Sequence, residues 1–107
     1  TASLGHGNFI DQGVRVGAGA SLGSHCLIHM GALIGPEVTM GDFVQIGAGT
    51  IINAGAQIGD EAFIGSGVVI VAGVTVGKGA RVGAGSVVVA SVKDAETVFG
   101  NPAQKVG

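Results

Sequence analysis

Met40 to Gly83 reads MGDFVQ IGAGTI INAGAQ IGDEAF IGSGVV IVAGVT VGKGAR VG, and every sixth residue of this run is large and apolar. The same beat starts at Leu4, passes through Ile10, Val16, Leu22, Ile28 and Ile34, and continues to Val88. Fifteen successive hexads obey it without an insertion, and glycine follows the apolar residue in ten of them. The fifth residue of each hexad is small, as at Ala20, Cys26, Ala32, Thr50, Ser86 and Val92, with Asn8 the exception. A helix would space its apolar residues by three and four, and plain alternation would not call for the glycines. Six residues suit one short extended segment and a tight turn, with glycine where the backbone needs unusual dihedrals. A hexapeptide period of this kind marks a parallel β-helix.

Three hexads close one triangular coil. Residues 4–93 are therefore expected to form five coils stacked at the ~4.8 Å strand spacing, within a β-helix domain over residues 1–93. Residues 94–107 are read as a C-terminal tail. The large apolar residue fills the interior and the small one fits the corner, so Cys26 is expected as a buried, inert thiol.

Composition agrees with one all-β domain. The chain has 107 residues, 22 of them glycine, only two prolines and a net charge of -2. Glycine does not fall at every third position, which excludes collagen, and the wealth of Val and Ile argues against disorder. Five basic residues against seven acidic ones leave no footprint for nucleic acid and no basic arm for a membrane surface. A single cysteine excludes a disulfide framework and any multi-cysteine zinc site. A cytoplasmic setting is the expectation.

On this repeat the sequence resembles the hexapeptide-repeat acyltransferases, and most closely the sialic-acid and bacillosamine-type sugar acetyltransferases. Met40 to Lys93 matches their last three coils, and Val82-Gly-Ala-Gly-Ser-Val-Val with Thr97-Val-Phe-Gly-Asn-Pro-Ala103 matches their C-terminal ending. The resemblance implies a left-handed β-helix, although the general crossover rule would give a right-handed one.

Outward residues 18 apart share a column. Ser3, Ser21, Thr39, Gln57 and Thr75 make a polar first face; Phe9, Leu27, Gln45, Phe63 and Arg81 make a mixed second one. The third reads Arg15, Leu33, Ile51, Val69 and Val87, with Val71 and Val89 beside it. That apolar stripe is too continuous to be left wet. The corner between the first two faces is charged (His6, His25, Asp42, Asp60, Glu61, Lys78), whereas Gln12, Met30, Ala48, Ser66 and Ala84 make the next one uncharged. A homo-oligomer packed through the apolar side is expected, and the resemblance implies a homotrimer.

The resemblance also implies acyl transfer from acetyl-CoA to a hydroxyl or amine of a small, sugar-like acceptor. A histidine would act as general base, and backbone N–H groups would hold the thioester oxygen. The family's base falls on Pro36, within Ile34-Gly35-Pro36-Glu37, and a second family histidine falls on Gln45. Proline cannot accept a proton. Ala54 matches the oxyanion donor, and Ser66, Ala72 and Ala84 match coils that line the coenzyme groove.

Three histidines remain. His6 and His25 belong to the charged, solvated corner. His29 stands on the second face near the uncharged corner, with Asp11 in its column one coil below, where a carboxylate could orient the imidazole. The pair reads as a structural contact or as an alternative base. A third reading is metal: Leu22 to His29 resembles the γ-class carbonic anhydrase segment, but Ser24 stands at the first ligand position, so only His29 is in place. No phosphate loop exists, and the Gly-x-Gly strings follow from the hexads. Two main functions stay open: an acetyltransferase using His29 and Asp11, and a non-catalytic trimeric scaffold.

Overall fold

The computed structural model describes residues 1–106 and contains no helix there. Fifteen two-residue strands, from Ser3–Leu4 to Val87–Val88, are followed by the strands Thr97–Gly100 and Ala103–Lys105. They stack into three sheets, one per face of a prism measuring 36 × 21 × 21 Å. Each of the fifteen strands pairs in parallel with the one 18 residues away, so Ile58 lies between Met40 and Val76, and Ile70 between Ile52 and Val88. This is the expected all-β parallel β-helix of about five coils.

The sheets form because the two residues of each strand face opposite ways. The second residue points inward: Ile28, Ile46 and Ile64 form one column inside, and all three are fully buried. Every middle coil is covered from above and below. The first coil has one neighbour only, and there Leu4 is exposed while Ile10 and Val16 are half-buried. Polar residues at inward corners find partners within the wall. Thr50 Oγ1 donates to the Gly65 carbonyl at 2.6 Å and accepts from Val68 N–H at 3.2 Å. Asn8 donates to the Gly23 carbonyl at 2.9 Å and accepts from Cys26 N–H at 2.7 Å. Cys26 is buried, and desolvation pushes its thiol above the ordinary range, as an inert core cysteine requires.

Three aspartates on the charged side are also structural. Asp42 Oδ1 accepts Ser24 N–H, Asp60 Oδ1 accepts Asp42 N–H, both at 2.8 Å, and Asp94 Oδ1 accepts Lys78 N–H at 2.9 Å. Each carboxylate thereby satisfies a backbone donor of the coil before it.

Two glycines show that the repeat uses this residue for two different reasons. At Gly55, φ is +72° and a Cβ would meet nothing within 4 Å. At Gly59, φ is ordinary, but a Cβ would lie 2.6 Å from Lys78 N and 2.9 Å from Lys78 Cα. The backbone of the next coil cannot rotate away. Gly59→Ala should therefore cost about 3 kcal/mol through overpacking, against ~1 kcal/mol for Gly55→Ala, where only the left-handed conformation is charged. Urea titration of both variants checks this, and equal losses would overturn the close-approach argument.

The repeat ends differently from its hexad reading. Val92, placed by the count at a small inward corner, bridges to Val76 and takes the large apolar slot of the first face. The offset drops from 18 residues to 16, and Ser91 Oγ accepts Thr75 N–H at 3.2 Å in this shortened corner. Val88-Val89-Ala90-Ser91 has no glycine to make the usual turn. The winding then continues past Lys93: Thr97 and Val98 pair in parallel with Arg81 and Val82, and Thr97–Gly100 folds back on Ala103–Lys105 in antiparallel fashion.

Candidate active site

The second face is indented beside the uncharged corner. A cleft of ≈ 140 Å³ opens there, lined by His29, Gln45, Gly47, Phe63, Gly65 and Ser66. Its floor is shaped by sequence: Gly47 and Gly65 follow the inward Ile46 and Ile64 in the column above His29, so two successive coils present no side chain there. Glycine leaves room that His29 and Phe63 border.

His29 is exposed, and its own N–H is used by the Ile46 carbonyl at 2.9 Å. Asp11 is half-buried one coil below. Its Oδ1 accepts the N–H of Gln12 at 2.8 Å. Among the described residues no hydrogen bond or ion pair joins Asp11 to His29, and the ion pair found is Lys105–Glu96 at 3.9 Å. Column and coil are as the sequence reading placed them, but the carboxylate is turned toward its own loop. A local contact with the next residue's N–H, closing a seven-membered ring, competes with the longer reach to the imidazole.

The other singled-out residues split into two sets. Ser66 shares the cleft with His29, and Ala84 stands one coil above it, held by the Gly85 N–H bond to the Ser66 carbonyl at 2.9 Å. Ala54 and Ala72 stack on the corner between the third and first faces, joined by Gly73 N–H to the Ala54 carbonyl at 3.0 Å. Pro36 is exposed on that same corner, below Ala54, and its carbonyl accepts Gly55 N–H at 3.0 Å. The third face separates the two sets within one chain. No three His, Cys, Asp or Glu side chains meet among the described residues, so a zinc site of the carbonic-anhydrase kind would need ligands from more than one chain.

Three segments, residues 25–60, 37–71 and 55–90, match the bacterial transferase hexapeptide (six repeats) family, together spanning more than half of the chain. The chain belongs to that family.

Solved structures that this chain resembles include sugar N-acetyltransferases. A variant of GDP-perosamine N-acetyl transferase from Caulobacter crescentus, solved in complex with CoA and GDP-perosamine, superposes with a TM-score of 0.88 at 28% identity. The match covers 99% of this chain and 53% of that one. The acetyltransferase domain of PglB from Neisseria gonorrhoeae gives 0.87 at 30% identity, over 98% of this chain and 54% of that one. The same domain has been solved with acetyl coenzyme A, matching at 28% identity and 0.87 over 97% of this chain and 55% of that one. This chain thus spans about half the length of these relatives. No curated protein sequence matches it.

Three lining residues were not singled out from sequence. Phe63 and the glycine pair Gly47/Gly65 gain their meaning only from stacking, because each lies more than a dozen residues from His29 along the chain. The signal available was the column itself: an aromatic residue at an outward position next to two bare ones.

Proposed function

We propose that the protein transfers an acetyl group from acetyl-CoA to a hydroxyl or amine of a small, sugar-like acceptor, as a homotrimer. The observation that supports the reading is that the residues matched by resemblance to the family's oxyanion donor and coenzyme groove divide between two corners. Ser66 and Ala84 flank one side of the third face, and Ala54 and Ala72 flank the other. A three-fold axis running along that face sets the Ser66 corner of one subunit against the Ala54 corner of the next, forming one groove from both. The exposed Leu33 and Ile51, with the half-buried Val69 and Val87, then pack around the axis.

His29 takes the base's part in this arrangement. Pro36 and His29 both belong to the second coil, so rotation about an axis parallel to the prism brings them to one height on opposite walls. The family's proton acceptor is missing from one wall, and an imidazole stands on the other. With the amine or hydroxyl held there, His29 Nε2 or Nδ1 takes its proton as the thioester carbon is attacked, backbone N–H groups near Ala54 stabilise the oxyanion, and its collapse breaks the C–S bond and releases coenzyme A, whose sulfur takes the proton from His29. Asp11 would act only after turning away from Gln12. That same turn of Asp11 toward Gln12 favours the second reading, a trimeric scaffold that binds coenzyme without turning it over.

Mixing the full chain with acetyl-CoA and a panel of amino sugars, and following free-thiol release, separates the two. Thiol release above the blank supports transfer. Tight acetyl-CoA binding by calorimetry with no release supports the scaffold, and absence of both sinks the reading.

A further inference from the structure

A second cleft, of ≈ 300 Å³, adjoins the first and shares Gln45 and Phe63 with it. It is closed by Phe43, Glu61, Ala62 and Arg81. Its walls are unusual for this fold. Glycine holds the positive-φ position at eleven places, yet His25, Phe43 and Glu61 adopt φ near +60° in three successive coils of one corner. A bulky residue in that conformation is uncommon; within the hexads Glu37, at φ 61° on another corner, is a further case, but only this corner repeats it coil after coil. Phe43 is nonetheless 59% exposed, so burial does not account for it. Its ring is set in place from below by His25, stacked at 5.1 Å with an interplanar angle of 18°. Across the cleft, the Arg81 guanidinium lies 5.9 Å above the Phe63 ring. Neither Glu61 nor Arg81 has an ion-pair partner among the described residues, although both border the same space.

We propose that this second cleft recognises the acceptor, and that the acceptor is a small saturated ring bearing an anionic group at the end remote from the reacting amine or hydroxyl. The ring lies against Phe63 and Phe43, whose faces suit C–H surfaces. The planar fork of Arg81 takes the anion with two parallel hydrogen bonds, which a phosphate and a carboxylate both accept. Gln45 and Glu61 receive ring hydroxyls. Because Gln45 and Phe63 wall both clefts, a ring seated on Phe63 points its far side toward His29. The word acceptor rests on the transfer reading; the binding does not.

The test measures binding to the full chain without acetyl-CoA. Titrations use glucosamine 6-phosphate, galactosaminuronate, glucosamine and inorganic phosphate, followed by NMR shift perturbation or calorimetry. One or both anionic sugars should bind about tenfold or more tightly than glucosamine, and Arg81→Gln should erase that difference. The better of the two anionic sugars identifies the anion. Phe43→Gly should weaken binding while leaving the melting temperature unchanged or raised, since glycine is the ordinary residue at this position. A merely structural Phe43 would instead lower it. Equal binding of charged and neutral sugars, no sugar binding, or inorganic phosphate matching the anionic sugars would overturn the proposal. Acetyl-CoA affinity is measured alongside. Retained acetyl-CoA binding without sugar binding removes this site and leaves the transfer reading intact; the reverse removes the transfer reading alone.

Discussion

On the transfer reading, His29→Ala is expected to lower acetyl transfer by about 10²–10⁴-fold, the usual contribution of a positioned general base. The reaction breaks an acceptor N–H or O–H bond as the carbonyl carbon is attacked, and the proton needs a destination. His29 is the titratable side chain lining the cleft it shares with Ser66. Its ring projects from a backbone already fixed by the bond to Ile46 at 2.9 Å, so truncation leaves the wall in place. Acetyl-CoA affinity should stay within a factor of about two, because backbone groups and small side chains line the rest of the groove. Rate constants from single-turnover thiol release, with binding measured separately, give both numbers. A variant as active as the wild type would remove His29 as the base. Pro36→His offers the complementary arm: a rate gain there, with His29→Ala silent, would put the proton-accepting site back on the other wall.

Val69→Asp should break the proposed trimer. Val69 pairs in register with Ile51 below and Val87 above, at the centre of the apolar column on the third face. In a single chain Leu33 is 37% and Ile51 39% exposed, so this column keeps its apolar surface in water unless another chain covers it. An aspartate at its centre puts three unpaired carboxylates around the axis, at about 3–5 kcal/mol each. Light scattering should show monomers, or aggregates if the freed stripes find other partners. The single-chain fold should persist, because the inward neighbours Val68 and Ile70 are fully buried and untouched. If the transfer reading holds, the same variant loses activity, since each groove takes one wall from each of two chains. An unchanged trimer would overturn the face assignment.

The site was less legible than the fold. Column membership came straight from the period of 18, which is why His29 and Asp11 fall one above the other and why the third-face stripe could be listed in advance. Side-chain direction within a column did not follow. Asp11 reaches Gln12 at 2.8 Å instead of the imidazole because a local bond needs fewer torsions held. The strained corner at His25, Phe43 and Glu61 was read simply as a charged, solvated edge. Only the dihedrals and the 5.1 Å ring stack show that it carries an ordered aromatic wall.

Periodicity by itself determined the parallel sheets, their three-fold division, the inward columns and the outward faces. One strand pair repeated every 18 residues leaves a short-range rule no freedom: a shift by one residue would turn every isoleucine column outward. Where the rule lapses, tertiary structure decided. Val92 moves into a core slot because a buried apolar column is worth more than keeping the count, and the coil shortens to 16 residues to allow it. The two clefts, and the separation of Ala54 and Ala72 from Ser66 and Ala84, likewise come from three-dimensional closure. Side chains far apart along the chain share space only once the coils are stacked.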